Sequence, residues 1–98
     1  MAKEAKVEKQ HFLFLLILRP LPGLGYGGPD VVKVPDRVAR RFLNERAAVE
    51  IDEHLFNKYR RHAYSGEFLD EAIRIAQERG IEKTTIDKMT HLRASRDV

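Results

Sequence analysis

The first residues to weigh for chemistry are glycines, because Gly23-x-Gly25-x-x-Gly28 matches the spacing of the dinucleotide-binding fingerprint. In that motif the glycines lead directly into a helix, whose N-terminus holds the pyrophosphate. Here Pro29-Asp30 leads instead into residues 31–34, which have the Val-rich composition of a strand. We therefore expect a loop with glycines at positive φ and no nucleotide site. Tyr26, predicted to be exposed at the tip of this loop, is a candidate for contact with a partner chain.

The second group consists of metal ligands and nucleophiles. No two of the histidines have the i,i+4 spacing that places both imidazoles around one ion on a helix; they are His11, His54, His62 and His91. Glu50, Asp52 and His54 would share one strand face if the extended backbone continued to His54, but a solvated strand edge leading into a helix is the preferred interpretation. The chain has no cysteine, and its serines fit no nucleophile motif. We expect no enzyme activity, no cofactor, no metal and no small-molecule substrate.

The third group lies between residues 72 and 92, whose spacing is that of a helix-turn-helix. That motif needs a small residue where two helices cross, a glycine in the turn and apolar residues on the inner side of the second helix. The residues at these positions are Ala72, Ala76, Gly80, Ile81, Ile86 and Met89. A DNA reader at residues 82–92 would turn five side chains to the major groove: Lys83, Thr84, Thr85, Lys88 and His91. Glu82 and Asp87 would oppose phosphate there, and a packing corner needs the same pattern, so DNA binding is the alternative hypothesis.

Basic side chains form two further clusters, Arg37/Arg40/Arg41 and Lys58/Arg60/Arg61 with His62. A solvated helix face is the commoner role of such clusters, and we take the three arginines as candidate partner-binding residues. The chain as a whole has 18 basic and 15 acidic residues, a net charge of +3. Because both signs are interspersed along both halves, the charge balance by itself does not indicate a nucleic-acid binder.

The elements that must position these residues follow from length and patterning. With 98 residues one domain is the default expectation. The apolar run at residues 12–18 is far shorter than the roughly 20 residues of a membrane-spanning helix, and its flanks do not resemble a signal peptide. We expect a strand buried on both faces and no association with a membrane.

The predicted fold class is α+β, a small N-terminal β-loop-β-α-β unit followed by a three-helix segment. Residues 1–11 form a charged arm, residues 12–52 the α+β unit and residues 53–98 the helical segment with its helix-turn-helix-like corner. Asp36 is expected to cap the first helix, Ser65 the helix that ends at Gly80, and Thr84 or Thr85 the last one. That last helix holds Ile86, Met89 and Leu92 in this scheme.

The stretch from residue 24 to residue 52 resembles a family of small tailed-phage proteins encoded among head and head-completion genes. A Tyr and Gly loop precedes a Val-rich strand, a short helix with a Val-Ala pair and an Ala-bearing strand; the matching positions are Tyr26, Gly28, Val31, Val32, Val34, Pro35, Val38, Ala39, Leu43, Ala47, Ala48 and Val49. The family usually has a glycine before the last strand, where this chain has Asn44-Glu45-Arg46. The resemblance implies a role in the virion or in its assembly.

The expected function is therefore that of a non-enzymatic virion structural or assembly protein: a minor capsid, decoration or head–tail joining subunit. Its partners would be other virion or assembly proteins, in an oligomeric arrangement, and its location the virion or the host cytoplasm. A small helix-turn-helix regulator that binds DNA is the alternative. A regulator that binds another protein, such as a host factor, is not separated from the first hypothesis by the sequence.

Overall fold

A three-stranded antiparallel sheet with helices on both faces organises the computed structural model, which describes residues 11–61 and 65–96. Residues 1–10 of the predicted charged arm, and His62 of the second basic cluster, lie outside the described residues. The elements in chain order are β1 (Phe12–Ile17), β2 (Asp30–Pro35), α1 (Asp36–Asn44), β3 (Ala48–Ile51), α2 (Glu53–Tyr59), α3 (Gly66–Glu78) and α4 (Lys83–Arg96). The α+β class is confirmed, with three helices following the sheet.

Strand β1 lies at the centre of the sheet, between β2 and β3. Its side chains alternate between two hydrophobic clusters, so that Leu15 and Ile17 enter one and Leu16 and Leu18 the other. All four are buried. Residues 15–18 of the apolar run are thus buried on both faces of the sheet, as predicted, whereas Phe12 at its start is exposed.

Each face of the sheet has its own helical cover. Helix α1 covers one face, where Phe42 is fully buried against Leu15 and Ile17. Helices α2, α3 and α4 cover the other face, and Phe68 and Met89 are buried in their cluster. The two clusters are separated by the sheet, which gives three layers of secondary structure.

Helix α3 begins and ends as the sequence predicts. The Ser65 hydroxyl accepts a hydrogen bond of 3.1 Å from the backbone N–H of Phe68, which satisfies one of the free donors of the first turn. At the other end Gly80 has a φ of +71°, and its N–H donates to the carbonyl of Gln77. Glycine adopts this left-handed conformation without a steric penalty because it has no Cβ, and it can therefore end the helix here.

The predicted caps of α1 and α4 are wrong. Pro35 occupies the N-cap of α1 with no side-chain cap bond, and Asp36 is already inside the helix, where it pairs with Arg40 at 3.0 Å. The proline ring fixes φ near the value needed at the start of a helix, and because proline has no polar side-chain group, α1 begins without a side-chain cap. Helix α4 begins at Lys83, ahead of both threonines, and the Glu82 carbonyl accepts the N–H of Thr85.

Two arginines join the helical segment to the sheet. Arg46, in the turn before β3, donates from Nη2 to the carbonyls of Gly80 at 2.7 Å and Arg79 at 3.3 Å. Arg79 in turn donates from Nη2 to the Glu50 carbonyl of β3 at 3.0 Å. Arg46 itself has a φ of +55°, the region that glycine adopts most easily. The two bonds from Arg46 satisfy carbonyls at the end of α3.

Candidate protein-binding cleft and helical corner

A cleft of about 510 Å³ lies between the β1–β2 loop and α4. Its apolar lining comes from both sides: Leu18, Pro20, Pro29, Met89 and Leu92. Polar side chains also line it, all of them from α4: Asp87, Lys88, His91 and Ser95. The cleft thus combines an apolar lining with a polar, mixed-charge side, which is the usual composition of a protein-binding surface.

The wall on the loop side depends on a close approach of backbone to backbone. A Cβ added at Gly28 would lie 3.0 Å from the Ile17 carbonyl oxygen, the Leu18 carbonyl carbon and the Arg19 nitrogen. Such contacts are tighter than most real Cβ atoms make, so any larger residue would push the loop away from the end of β1. The neighbouring Pro29 is thereby buried at the edge of the cleft.

The wall on the helix side carries an exposed apolar side chain. Leu92 is 38% exposed, whereas Met89, three residues before it on α4, is only 1% exposed. The cleft leaves the Leu92 side chain without a facing layer. With Phe12, it is one of two large hydrophobic residues exposed among the described residues.

The polar side of the cleft offers contacts but no arrangement typical of catalysis. Asp87, Lys88 and His91 are exposed, so none of them is desolvated as acids and bases in active sites commonly are. The Asp87 carboxylate lies 4.0 Å from the ammonium of Lys83, one turn earlier on α4. Within residues 11–61 and 65–96 no three histidine or acidic side chains are close enough to hold a metal ion.

The α3–α4 corner has the packing that the helix-turn-helix spacing predicts. Ala76, Ile81 and Met89 are buried where the two helices meet, around the left-handed Gly80. Of the five candidate DNA-reading residues, four are exposed: Lys83, Thr84, Lys88 and His91. Thr85 is only 4% exposed, and its hydroxyl lies 3.4 Å from the Glu82 carboxylate. The prediction that Thr85 faces a groove is therefore wrong, because the first turn of α4 is rotated to place it inside.

The candidate partner-binding residues separate into two environments. Tyr26 is half-buried, with its ring 6.0 Å from that of Phe42 in an edge-to-face arrangement, so the expectation of an exposed ring at the loop tip is wrong. Arg37, Arg40 and Arg41 are exposed on α1. Arg40 pairs with Asp36, whereas the other two guanidinium groups have no ion pair within the described part of the chain.

The strand-face arrangement of Glu50, Asp52 and His54 does not form. Asp52 is the N-cap of α2 and accepts a hydrogen bond of 2.9 Å from the N–H of Leu55. The helix begins at Glu53, so His54 lies on its first turn rather than on the strand. The solvated strand edge leading into a helix is the arrangement observed.

Sequence reasoning missed the cleft, because its walls come from residues about 70 positions apart along the chain. Comparisons with protein families, with curated proteins and with solved structures found no match. Across residues 11–61 and 65–96, every helix is too short or too polar to span a bilayer.

Proposed function

We propose that the protein is a non-enzymatic structural or assembly component of a phage virion that works through protein–protein contacts. Minor capsid, decoration and head–tail joining roles all fit this description. The observation that carries the proposal is the cleft between the β1–β2 loop and α4. It exposes Leu92 beside buried Pro29 and Met89, at a place where a partner chain can cover apolar surface.

The position of the cleft in the chain supports the virion assignment. Its loop wall, including Gly28 and Pro29, lies within residues 24–52, the stretch that resembles the small phage family. The other wall belongs to α4, in the half of the chain to which that resemblance does not extend. A surface built from both halves is suited to a joining subunit, which must hold a partner against a rigid edge.

Mass spectrometry of purified particles tests this function. Particles from a phage that carries the gene should contain the protein at a fixed copy number relative to the major capsid protein. Washing at 1 M salt should not remove it, because burial of apolar surface is not screened by ions. Absence from particles, precursor heads and tails alike would contradict the proposal.

A helix-turn-helix DNA-binding function is the second candidate, favoured by the buried α3–α4 corner and the exposed Lys83 and Lys88. It predicts duplex binding with an affinity that falls steeply with salt and falls further in the Lys83→Gln and Lys88→Gln variants. A gel-shift titration between 50 and 300 mM salt measures both effects. Duplex binding that ignores the two substitutions would exclude the corner as the reader.

A further inference from the structure

A cluster of aromatic rings and cationic side chains lies at the start of β1, at the opposite end of that strand from the cleft. Phe12 and Phe14 project from the same side of β1, and Lys33 of β2 is the register partner of Phe14. The Lys33 ammonium lies 5.4 Å from the Phe12 ring centroid and 5.9 Å from that of Phe14. We call this cluster, completed by Phe56 of α2 and by Arg60 directly after α2, the aromatic platform.

Helix α2 and the residue that follows it supply the rest of the aromatic platform. The Phe56 ring lies 4.9 Å from that of Phe14, and the guanidinium of Arg60, the C-cap residue of α2, lies 5.5 Å from the Phe56 ring centroid. Three rings and two cations thus lie next to one another across two strands and the end of a helix. Phe12 is 45% exposed, the most exposed large hydrophobic side chain among the described residues.

The two cations of the aromatic platform are available to a ligand. Neither Lys33 nor Arg60 has a carboxylate within ion-pair distance in the described part of the chain, and both are exposed. His11, next to Phe12 in the chain, lines a second cleft with Asp36, Arg37 and Arg40. On α2 the acidic residue nearest the rings is Glu53, one turn before Phe56.

We propose that the aromatic platform binds single-stranded nucleic acid. A base stacks on the exposed ring of Phe12, and the flanking phosphates pair with Lys33 and Arg60. Aromatic rings combined with cations that can pair with phosphate are the arrangement by which proteins hold single strands without regard to sequence. A duplex does not fit this site equally well, because its bases are already stacked and paired. This proposal does not depend on the proposed virion function.

An acidic polypeptide is the competing ligand for the same charges. It would satisfy Lys33 and Arg60 but would leave the exposed Phe12 ring without a planar partner. The ring therefore favours nucleic acid, and a variant that changes only the ring tests the choice. Phe12→Leu keeps an apolar side chain at an exposed position and removes only the π-face.

The experiment is a fluorescence anisotropy titration of the full chain with a labelled 20-nucleotide poly-dT strand and with a 20-base-pair duplex, at 50 to 300 mM salt. The wild type should bind the single strand more tightly than the duplex. Phe12→Leu should weaken single-strand binding about tenfold, the scale of one lost base stack. Lys33→Gln and Arg60→Gln should each lower the slope of log affinity against log salt by about 0.7.

Two further variants sharpen the result. Lys88→Gln removes the same charge at the other end of β1, about 20 Å away by strand rise, and should leave single-strand affinity within twofold of the wild type. Glu53→Gln removes a nearby negative charge and should strengthen binding. Circular dichroism checks that each variant folds.

Three outcomes would overturn the proposal. The first is Phe12→Leu binding as tightly as the wild type. The second is Lys88→Gln weakening single-strand binding as much as Lys33→Gln does, which would place the site on the helical corner. The third is displacement of the labelled strand by polyglutamate at the same concentration as by unlabelled poly-dT, which would assign an acidic polypeptide.

Discussion

Gly28 shows how the lack of one side chain shapes the proposed binding surface. Its Cα faces three backbone atoms at the end of β1, and an added Cβ would lie 3.0 Å from each. Because these neighbours are backbone, they cannot move aside as a flexible side chain would. Gly27, the preceding residue, has open space around its Cα. The pair therefore provides a test and a matched control in one loop.

We predict that Gly28→Ala destabilises the protein by about 1–3 kcal/mol, the usual cost of forcing extra atoms into a packed region. Gly27→Ala should change stability by less than about 0.5 kcal/mol. Urea unfolding followed by circular dichroism measures both. Equal effects of the two substitutions would show that the loop does not lie against β1 as described.

Asp30 is a second residue whose environment has a measurable consequence. It lies half-buried at the start of β2, and its carboxylate accepts a hydrogen bond of 2.8 Å from the N–H of Val31. Burial raises the pKa of Asp30 above its ordinary value of 3.8, and the hydrogen bond from Val31 opposes part of that effect. A carboxyl with a raised pKa binds its proton more tightly in the folded state than in the unfolded state. Its contribution to stability is therefore present below pH 3.8 and is lost as the pH rises through the folded-state pKa.

Replacing Asp30 by Asn keeps an oxygen acceptor for Val31 and removes the titration. The stability of Asp30→Asn relative to the wild type should rise as the pH increases from 3 to 6. Urea unfolding at four pH values across this interval measures the trend. A relative stability that stays constant or falls with pH would mean that the Asp30 pKa is not raised.

At the scale of elements, local sequence patterns predict most of the fold and fail at particular helix starts. Ser65 and Gly80 bound α3 as expected, because a cap and a left-handed glycine are decided by neighbours in sequence. Asp36 and Thr85 have equally suitable chemistry for a cap, yet neither acts as one. Pro35 already occupies the N-cap position of α1, and Thr85 lies on the buried side of α4. Those outcomes depend on packing that a short sequence window does not contain.

The difference between a cap and a residue that only resembles one is measurable. Ser65→Ala should cost about 1 kcal/mol, the typical value of an N-cap hydrogen bond. Asp36→Ala should cost about 0.5 kcal/mol or less, since it removes only the exposed ion pair with Arg40. Chemical denaturation of both variants compares the two values directly. A larger loss for Asp36→Ala would contradict the assignment of the caps.

At the scale of the whole molecule, the two proposed binding surfaces lie where distant segments meet. Antiparallel pairing brings Lys33 beside Phe14, and the packing of α4 brings Leu92 opposite Pro29. Sequence patterns predict α+β layers and a buried central strand, because hydrophobic alternation is a local signal. They do not predict the aromatic platform or the cleft, because each depends on which surface a helix leaves uncovered. For the same reason Lys33 and Arg60, which are far apart in the sequence, lie in one aromatic cluster near the start of β1.

If the cleft holds a partner protein in the particle, as we propose, a charge placed at Leu92 should prevent incorporation. Leu92→Asp places a charge on the apolar lining, while Ala94→Asp places the same charge at an exposed position of α4 that does not line the cleft. The copy number of each variant in purified particles is measured by quantitative mass spectrometry, after circular dichroism has shown that both fold. We predict that Leu92→Asp is lost from the particles and that Ala94→Asp remains at the wild-type copy number. Retention of Leu92→Asp at that same copy number would contradict the proposed role of the cleft.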